Sequence, residues 1–446
     1  MTTPTQISHR SPVSRRTVMG LAGAGAGALI LGTSACGDDP KGGGGLEAPG
    51  DLDVWVLQDE AQNAVQNGAV TRFNAAHKAK AKITPFANDP YRDRLRVAMG
   101  SRTQPDIFFN WGSGSIREYV DAGLLVDLTP TLNEDAAFKA KWIPSVLESG
   151  KIGGAFYGIP NRGMQPVILY YNKDVLKRVG VQQPPATWSQ MLAFVDELKK
   201  AGITPFAVAG SQTWTLLMWL EYFVDRLGGP QPFQRIADGD SDGWKDPAIA
   251  GAIDKIRELV DRGGFASNFA SVGYETGGSG TLFAQGRAAM HLMGSWEYTN
   301  QVREQPQFAR SALGFATFPA IEGGTGNPKA IVGNPTNYFS VTKSSDNVEA
   351  SIAFLKEMAS DAYVDDYIGR GDVPAIADIE SRFDRSPSPE FARFVYGMVR
   401  DASSFQLSWD QAIANRVAQP MLTNLQKVFL KQLDATGFVT AMVNLK

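Results

Sequence analysis

The sequence predicts an α/β protein with largely parallel sheets, on two observations. Short runs rich in β-branched and aromatic residues recur along the chain, at 53–57, 107–109 and 167–171. Apolar residues at helical spacing lie between these runs, which is the pattern of βαβ units. The length of 446 residues corresponds to two or three domains.

Composition places the chain among folded globular proteins. Apolar residues make up 43 % and charged residues 20 %, which excludes a disordered chain and a polytopic membrane protein. The formal net charge is −3, so no basic excess favours nucleic-acid binding. A single cysteine excludes an intramolecular disulfide and a cysteine-based zinc site, and three histidines leave little for a histidine-rich metal site.

The first residues have the pattern of an export signal. Arg15 and Arg16 precede a stretch of Ala, Gly, Leu and Ile, from Val18 to Ala35, that carries no charge. This order is typical of a secretory signal, and the paired arginines resemble a twin-arginine signal. A transmembrane anchor is the alternative, which the many glycines disfavour. Residues 1–35 carry three arginines and no acid, so the chain from Cys36 onward has a net charge of −6.

The only cysteine lies at the predicted cleavage point. Small residues precede Cys36, as in a bacterial lipobox, although Thr33 stands where leucine is usual. We predict that Cys36 is lipidated and that 36–50, with the glycines at 42–45, tethers a folded domain to a membrane face. The alternative is an ordinary cut after Ala35 that leaves Cys36 as a free thiol. The signal and lipobox also resemble those of Gram-positive actinobacteria.

One helix of the mature chain is especially well indicated. Thr187 can cap it, Gln190 completes a capping box, and Gly202 can end it. Its predicted buried stripe consists of Met191, Leu192, Val195 and Leu198. From Phe391 onward the chain is apolar at helical spacing, with Pro420 as the one break.

Catalytic motifs are absent from the sequence. It contains no phosphate-binding loop, no H-E-x-x-H zinc helix, no nucleophile elbow and no dinucleotide fingerprint after a strand. His291 lies in an apolar run that favours a core or semi-exposed strand position over a catalytic one. We therefore expect no enzyme activity, no metal and no cofactor. A carboxylate pair for sugar hydrolysis stays open, because 46 acids are present and no pair is nominated.

Tryptophans beside polar residues mark the ends of several predicted elements. Ligands of doubly wound sheets bind beyond the carboxyl ends of the strands. A tryptophan ring covers the apolar face of a pyranose while neighbouring polar groups bond its hydroxyls. A single tryptophan is more often core, but several in such settings favour a binding cleft. The relevant segments are Gln58-Asp59, Asn110-Trp111 and the surroundings of Trp214, Trp296 and Trp409.

Three segments carry a resemblance to a known family. They are Phe283-x-x-Gly286-x-Ala288-Ala289-Met290-x-x-x-Gly294-x-Trp296, then Pro105-Asp106-Ile107 with Asn110-Trp111 and the stretch 119–128, and Gly158-Ile159-Pro160 followed by Tyr171-Asn172-Lys173-Asp174. With these segments the chain resembles the extracellular solute-binding proteins of bacterial ABC importers, in the branch that contains the maltose binder. The resemblance covers most of residues 50–440.

The resemblance implies two α/β lobes, each a mostly parallel sheet flanked by helices, joined by a hinge that the chain crosses several times. The first lobe is expected at 51–164 and 335–372, and the second at 165–334 and 373–446. The crossings are expected near 163–165, 333–337 and 370–372. Glycine and proline there suit a backbone that must absorb a closure, although simple turn chemistry also explains them.

The resemblance also assigns roles to residues of the cleft. Trp111, Trp296 and Trp409 match stacking aromatics, and Trp214 matches an aromatic that the second lobe presents to the ligand. Polar contacts to hydroxyls are expected from Gln58, Asp59, Asn110, Arg162 and Asn337. Gln165 matches a hinge position that is often acidic in the maltose binder, so its amide argues against the same sugar.

The expected function is to bind a di- or oligosaccharide between the lobes and to deliver it to ABC permease subunits. The protein is expected to be a monomer that a lipid anchors at the extracellular face of the membrane. Four tryptophans suit two or more rings, and the 110–128 region is similar to binders of β-linked disaccharides such as xylobiose or chitobiose. Three alternatives stay open: a secreted glycoside hydrolase, a lobed binder of a polyamine, iron or another non-sugar solute, and an adhesive or sensory lipoprotein.

Overall fold

The computed structural model describes residues 50–101, 103–148, 150–274 and 277–445. The predicted signal at 1–35, the lipidation site Cys36 and nearly all of the tether lie outside the described residues. Within the described ranges, none of the helices has the length and apolar character needed to cross a membrane.

The described residues form thirteen strands and twenty α-helices. The strands are β1 (Leu52–Leu57), β2 (Ala81–Phe86), β3 (Ile107–Asn110), β4 (Lys151–Ile152), β5 (Ala155–Phe156), β6 (Ile159–Pro160), β7 (Gln165–Asn172), β8 (Thr204–Ala207), β9 (Ala288–Gly294), β10 (Leu313–Ala316), β11 (Ile331–Asn334), β12 (Tyr338–Val341) and β13 (Phe405–Leu407). The helices are α1 (Glu60–Ala76), α2 (Asn88–Met99), α3 (Arg117–Asp121), α4 (Thr129–Glu134), α5 (Ala136–Ala140), α6 (Pro144–Glu148), α7 (Lys173–Arg178), α8 (Trp188–Lys200), α9 (Thr213–Gly228), α10 (Gln231–Ala237), α11 (Pro247–Asp261), α12 (Ser279–Ala284), α13 (Trp296–Glu304), α14 (Pro306–Ser311), α15 (Val348–Glu357), α16 (Asp361–Gly369), α17 (Pro389–Arg400), α18 (Trp409–Ala412), α19 (Asn415–Phe429) and α20 (Ala435–Val443).

The strands build two main sheets. The first has the order β2-β1-β3-β12-β6, and the second has the order β13-β11-β7-β9-β8, with β10 beside the far half of β7. The small hairpin β4-β5 stands apart from both. All eight residues of β7 and all seven of β9 are buried, so this strand pair lies at the centre of the second core.

Each sheet contains both parallel and antiparallel pairs. β1 pairs in parallel with β2 and β3, and β9 pairs in parallel with β8, but β12 and β7 run antiparallel to the strands beside them. The two-lobed α/β class is confirmed, whereas the expectation of mostly parallel sheets is corrected to mixed ones. The cause is that the chain enters β7 and β12 from the other lobe. These two strands therefore run away from the junction of the lobes, whereas their neighbours β9 and β3 run toward it.

The chain passes between the sheets through short segments. It leaves β6 at Pro160 and enters β7 at Gln165, and it returns from β11 at Asn334 to β12 at Tyr338. The first passage is anchored by α16, because the hydroxyls of two of its tyrosines, Tyr363 and Tyr367, donate to the carbonyl of Asn161 at 2.6 and 2.8 Å.

A third segment of the chain, residues 373–377, lies against the first passage and the neighbouring first-lobe backbone. The amide of Met164 donates to the carbonyl of Val373 at 2.8 Å, and the amide of Ile143 donates to that of Ala375 at 3.1 Å. Ala377 in turn donates to Lys141 at 2.9 Å. The backbone therefore stays beside first-lobe segments until 377, and the division of the two lobes at 372 stays a prediction.

The helix predicted after Thr187 is confirmed as α8, and its apolar stripe is buried as expected. Gly202 ends it with a φ of 72°. The capping box is wrong, because the side chain of Thr187 makes no capping bond to a backbone amide. The carboxylate of Glu322 accepts a bond from the backbone amide of Ser189 at 3.2 Å instead, so a distant segment supplies the cap.

The C-terminal region differs from its sequence pattern at two points. Pro420 lies inside α19 and does not break it. The helical pattern is interrupted at 401–408, where the three-residue strand β13 joins the edge of the second sheet beside β11, and again at 413–414 and 430–434.

Candidate functional site

The ends of strands from both lobes meet along one cleft. The turn after β3 touches α18, which follows β13: a Cβ added to Gly114 would lie 2.4 Å from the carbonyl oxygen of Ala412. Arg92 of α2 reaches across the same gap, with 3.2 Å between its Nη2 and Oδ2 of Asp410. The two lobes are therefore in direct contact on this side of the cleft.

Trp111 lies at that contact and is held on several sides. It is 8 % exposed, and the guanidinium of Arg92 lies 4.4 Å from its ring centroid. The rings of Tyr91 and Phe109 meet it at steep angles, 5.9 and 5.2 Å away. The cation over the ring and the two steep aromatic contacts hold the indole in one orientation.

Asp59 and Arg162 form an ion pair at the end of β1. Asp59 caps α1 by accepting from the amide of Gln62 at 3.2 Å, and its carboxylate is bonded by the Arg162 guanidinium. Burial alone would raise the pKa of Asp59, but the charge of Arg162 and these hydrogen bonds outweigh it, so the pKa lies below its ordinary value. Gln58 beside them is exposed. The pair is therefore charged at neutral pH.

The side chain of Asn110 forms its hydrogen bonds within the protein. Its Nδ2 donates to Oγ of Ser340 at 2.9 Å, and its Oδ1 accepts from the amide of Gly112 at 2.9 Å. The side chain is 1 % exposed. Its amide shapes the turn that carries Trp111, which corrects the expectation that it bonds ligand hydroxyls.

Buried amides line the passages between the lobes. Nδ2 of Asn334 lies 3.4 Å from Oε1 of Gln165, and Asn337 is 1 % exposed. Several of their polar atoms have no hydrogen-bond partner within the described residues, including Nδ2 of Asn337, Oδ1 of Asn334, both amide atoms of Asn161 and Nε of Arg162. Unpaired buried polar atoms are rare, and a water molecule or a polar ligand can supply the missing hydrogen bonds at this place.

The second lobe presents three aromatic rings, Trp214, Tyr274 and Trp296, which we call the aromatic wall. The rings of Trp214 and Tyr274 meet edge-on at 5.3 Å, and those of Trp214 and Trp296 lie 6.2 Å apart. All three side chains are partly exposed. A Cβ on Gly294 would lie 2.0 Å from the Trp296 ring, so only glycine at the end of β9 lets that indole lie flat against the backbone.

A small polar pocket of about 90 Å³ adjoins the aromatic wall. Its lining includes Tyr274, Asn300 and Arg303. The charge of Arg303 also contributes to the lowered pKa of Asp59, so this guanidinium belongs to the electrostatic surroundings of the Asp59–Arg162 pair. The second lobe thus brings aromatic rings, an amide and charged groups together around one space.

Trp409 does not belong to this space, and its predicted stacking role is wrong. Its side chain is 0 % exposed, its ring stacks on Phe233 at 4.8 Å, and its Nε1 donates to Oε1 of Gln406 at 2.6 Å. The helix α18 turns the indole into the core of the second lobe, so no ring face is open to a ligand.

Sequence reasoning missed part of the site. Tyr274, Glu297 and Asn300 were not singled out, although Glu297 and Asn300 follow Trp296 within one helix. Helical spacing after a predicted stacking tryptophan could have indicated Asn300. Tyr274 stands alone in a loop, and its place depends on the distant Trp214. The described residues contain no cluster of three or more histidine, cysteine or acidic side chains that could hold a metal.

Comparison with known proteins identifies the architecture. A family model described as bacterial extracellular solute-binding protein matches residues 57–365. A solved structure from work on xylan utilization by the thermophile Caldanaerobius polysaccharolyticus superposes with a TM-score of 0.78 at 25 % identity, covering 88 % of this chain and 98 % of that one. A chitin oligosaccharide binding protein superposes equally, with a TM-score of 0.78 at 23 % identity and coverage of 88 % and 97 %.

Curated relatives match over a shorter length. An uncharacterized ABC transporter extracellular-binding protein of Pyrococcus horikoshii is 26 % identical over 58 % of this chain and 56 % of its own. A multiple sugar-binding protein of Streptococcus mutans is 26 % identical over 43 % of this chain and 44 % of its own. The chain thus spans about half the length of the curated relatives that it matches. Since the family model covers more than half of the sequence, the chain belongs to the bacterial extracellular solute-binding proteins.

Proposed function

We propose that this protein binds a carbohydrate, a di- or oligosaccharide, in the cleft between its lobes and delivers it to an ABC permease. The observation that carries the proposal is the aromatic wall of the second lobe with a polar pocket beside it, and the charged Asp59–Arg162 pair of the first lobe supports it. Aromatic faces suit the apolar faces of pyranose rings, and the surrounding amides and charges suit their hydroxyls.

The lobes are proposed to be 51–164 with 335–372 and 165–334 with 373–446. A ligand that touches both lobes favours the closed form by the additional contacts that it makes there. The closed form is what the permease recognises. Binding of this kind makes and breaks no bond, so it requires no catalytic base, metal or cofactor.

We propose individual roles for these side chains, which their placement supports. Trp111 of the first lobe and Trp214 and Trp296 of the second supply the stacking faces. Gln58, Asp59, Arg162, Gln165 and Asn337 supply hydrogen bonds to hydroxyls, and the buried, unpaired Nδ2 of Asn337 supports its inclusion. Stacking surfaces in both lobes suit a ligand of at least two rings.

Export, lipidation at Cys36, anchoring at the extracellular face of the membrane and a monomeric state are proposed with it. The sequence from Arg15 to Cys36 supports export and anchoring. Family membership supports an exported receptor that works with permease subunits. Mass spectrometry of the N-terminus of the cell-associated protein tests the lipid anchor. We expect a lipid-sized increase in mass at Cys36 that is lost when cells are treated with globomycin, which inhibits lipoprotein signal peptidase.

Titration calorimetry with xylo-, cello-, chito- and malto-oligosaccharides tests the binding proposal. We expect one-to-one binding of one series, with no product formed. Trp296→Ala and Trp111→Ala should weaken this binding by roughly tenfold or more, in line with the loss of an aromatic contact and its buried area. Trp244→Phe is the matched control, because Trp244 is 2 % exposed and packs on Trp409 and Phe438 in the core.

A further inference from the structure

We propose that Glu297 is a positioning residue, whose buried carboxylate sets the geometry of the aromatic wall and thereby the affinity for carbohydrate; the affinity part rests on the proposed function. Glu297 is the second residue of α13, directly after Trp296. It is 2 % exposed, and although it borders the polar pocket, both of its carboxylate oxygens are hydrogen-bonded within the protein.

Both carboxylate oxygens of Glu297 are engaged with neighbours of the wall. Oε2 accepts from the hydroxyl of Tyr274 at 3.0 Å, and Oε1 accepts from Nε2 of Gln301 at 2.7 Å. Gly280 approaches so closely that an added Cβ would lie 2.5 Å from Oε1. His291, also buried, has its Nδ1 3.5 Å from the same oxygen. The carboxylate therefore occupies one fixed place beneath the wall.

Tyr274 transmits this placement to the tryptophans. Its hydroxyl donates to Glu297 and accepts from Nδ2 of Asn300 at 2.8 Å, so both directions of the hydroxyl are used within the protein. Its backbone amide donates to Oε1 of Gln212 at 2.7 Å, directly before the helix that carries Trp214. The ring is thus held at both ends and fixes the edge-on contact with Trp214.

The arrangement assigns the carboxylate a purpose that core packing does not explain. A buried carboxylate costs free energy unless it is well bonded, and hydrogen bonds to a charged group are stronger and more directional than neutral ones. Here those bonds end on a partly exposed ring of the ligand cleft. The directional bond to Tyr274 therefore holds the stacking surface in place before a sugar binds. Without this bond, ordering the rings would lower the free energy gained on binding.

The test compares Glu297→Ala, Glu297→Gln and Tyr274→Phe by calorimetry with the oligosaccharide that binds the wild type. We expect Glu297→Ala to weaken binding about tenfold, the order expected for losing a hydrogen bond to a charged group. Glu297→Gln keeps an acceptor for Tyr274 and should recover most of that loss. Tyr274→Phe keeps the ring, and in its background Glu297→Ala should have little further effect, because the bond through which it acts is already gone.

A second measurement reports the environment of the aromatic wall in the absence of any ligand. In protein labelled with 5-fluorotryptophan, the ¹⁹F resonance of Trp214, assigned with Trp214→Phe, should shift or broaden in Glu297→Ala and return in Glu297→Gln. Asp225→Asn is the control: Asp225 is also a buried carboxylate of the second lobe, but its partner is Arg226 on α9. It should leave both the Trp214 resonance and the affinity unchanged.

The outcomes separate the two proposals. An unchanged Trp214 resonance and affinity in Glu297→Ala, or equal losses in Asp225→Asn, would overturn the positioning role. If the wild type binds none of the sugars, the proposed function fails, while the fluorine spectra still decide whether Glu297 positions the wall.

Discussion

Replacing Asp410 by asparagine removes the negative partner of Arg92 across the gap between the lobes. The two side chains are 9 % and 35 % exposed, and their nearest charged atoms lie 3.2 Å apart. We propose that this contact between the lobes forms only in the closed form of the protein, so the free energy of the pair favours that form. Asparagine keeps the shape of the side chain and leaves the guanidinium over Trp111 in place.

The size of the effect follows from the exposure of the pair. Fully exposed ion pairs contribute up to about 1 kcal/mol, and the burial of Asp410 places this pair at about that value. A change of about 1 kcal/mol moves the equilibrium between open and closed forms about fivefold, and the apparent Kd of a ligand that selects the closed form rises by up to the same factor. Arg92→Ala should cost more, because it also uncovers one face of Trp111.

Calorimetry for affinity and small-angle scattering for lobe closure measure the two consequences. Asp410→Asn should raise the Kd, and the difference from wild type should shrink at high salt, which screens the pair. Asp93→Asn is the matched control, since Asp93 pairs with Arg96 on the same helix and is 81 % exposed. Identical affinity and scattering for Asp410→Asn and wild type would refute the reasoning.

Three further predictions concern single positions. Gly294→Ala should weaken sugar binding without unfolding the protein, because the added methyl group displaces the Trp296 indole; calorimetry and circular dichroism together check this. Trp409→Ala should lower the free energy of unfolding by about 3–5 kcal/mol in urea titrations, as removal of a buried tryptophan does. Burial raises the pKa of Glu221 from 4.5 to about 8. Between these two pH values the folded protein keeps a proton on Glu221 that the unfolded chain has lost. The free energy of unfolding should therefore fall as pH rises through that interval, and Glu221→Gln should make the fall less steep.

Much of the fold follows from local sequence patterns. The β-rich run at 53–57 and the apolar run at 288–294 form β1 and β9, and the apolar stripe of α8 is buried as predicted. The mixed pairing of the sheets could not be predicted in this way, because it depends on which strands enter from the opposite lobe. The cap of α8 comes from Glu322, far along the chain, and no local motif indicates it.

The tryptophans show the same limit for the site. Trp296 and Trp409 both stand beside serine and an acidic residue at the start of a helix, so their sequence surroundings do not distinguish them. The structure separates them by long-range packing: Trp409 stacks on Phe233 from α10, whereas Trp296 joins Trp214 in the cleft. Such choices are made by tertiary contacts, which a pattern of neighbouring residues does not contain.

The most direct test of carbohydrate binding is titration calorimetry of the purified protein against the four oligosaccharide series, with chromatography of the recovered sugar. We expect saturable one-to-one binding of one series and recovery of the sugar intact. Absence of binding to all four series would contradict the proposal of a carbohydrate ligand, and recovery of shorter products would contradict the proposal that the protein is a receptor and not a hydrolase.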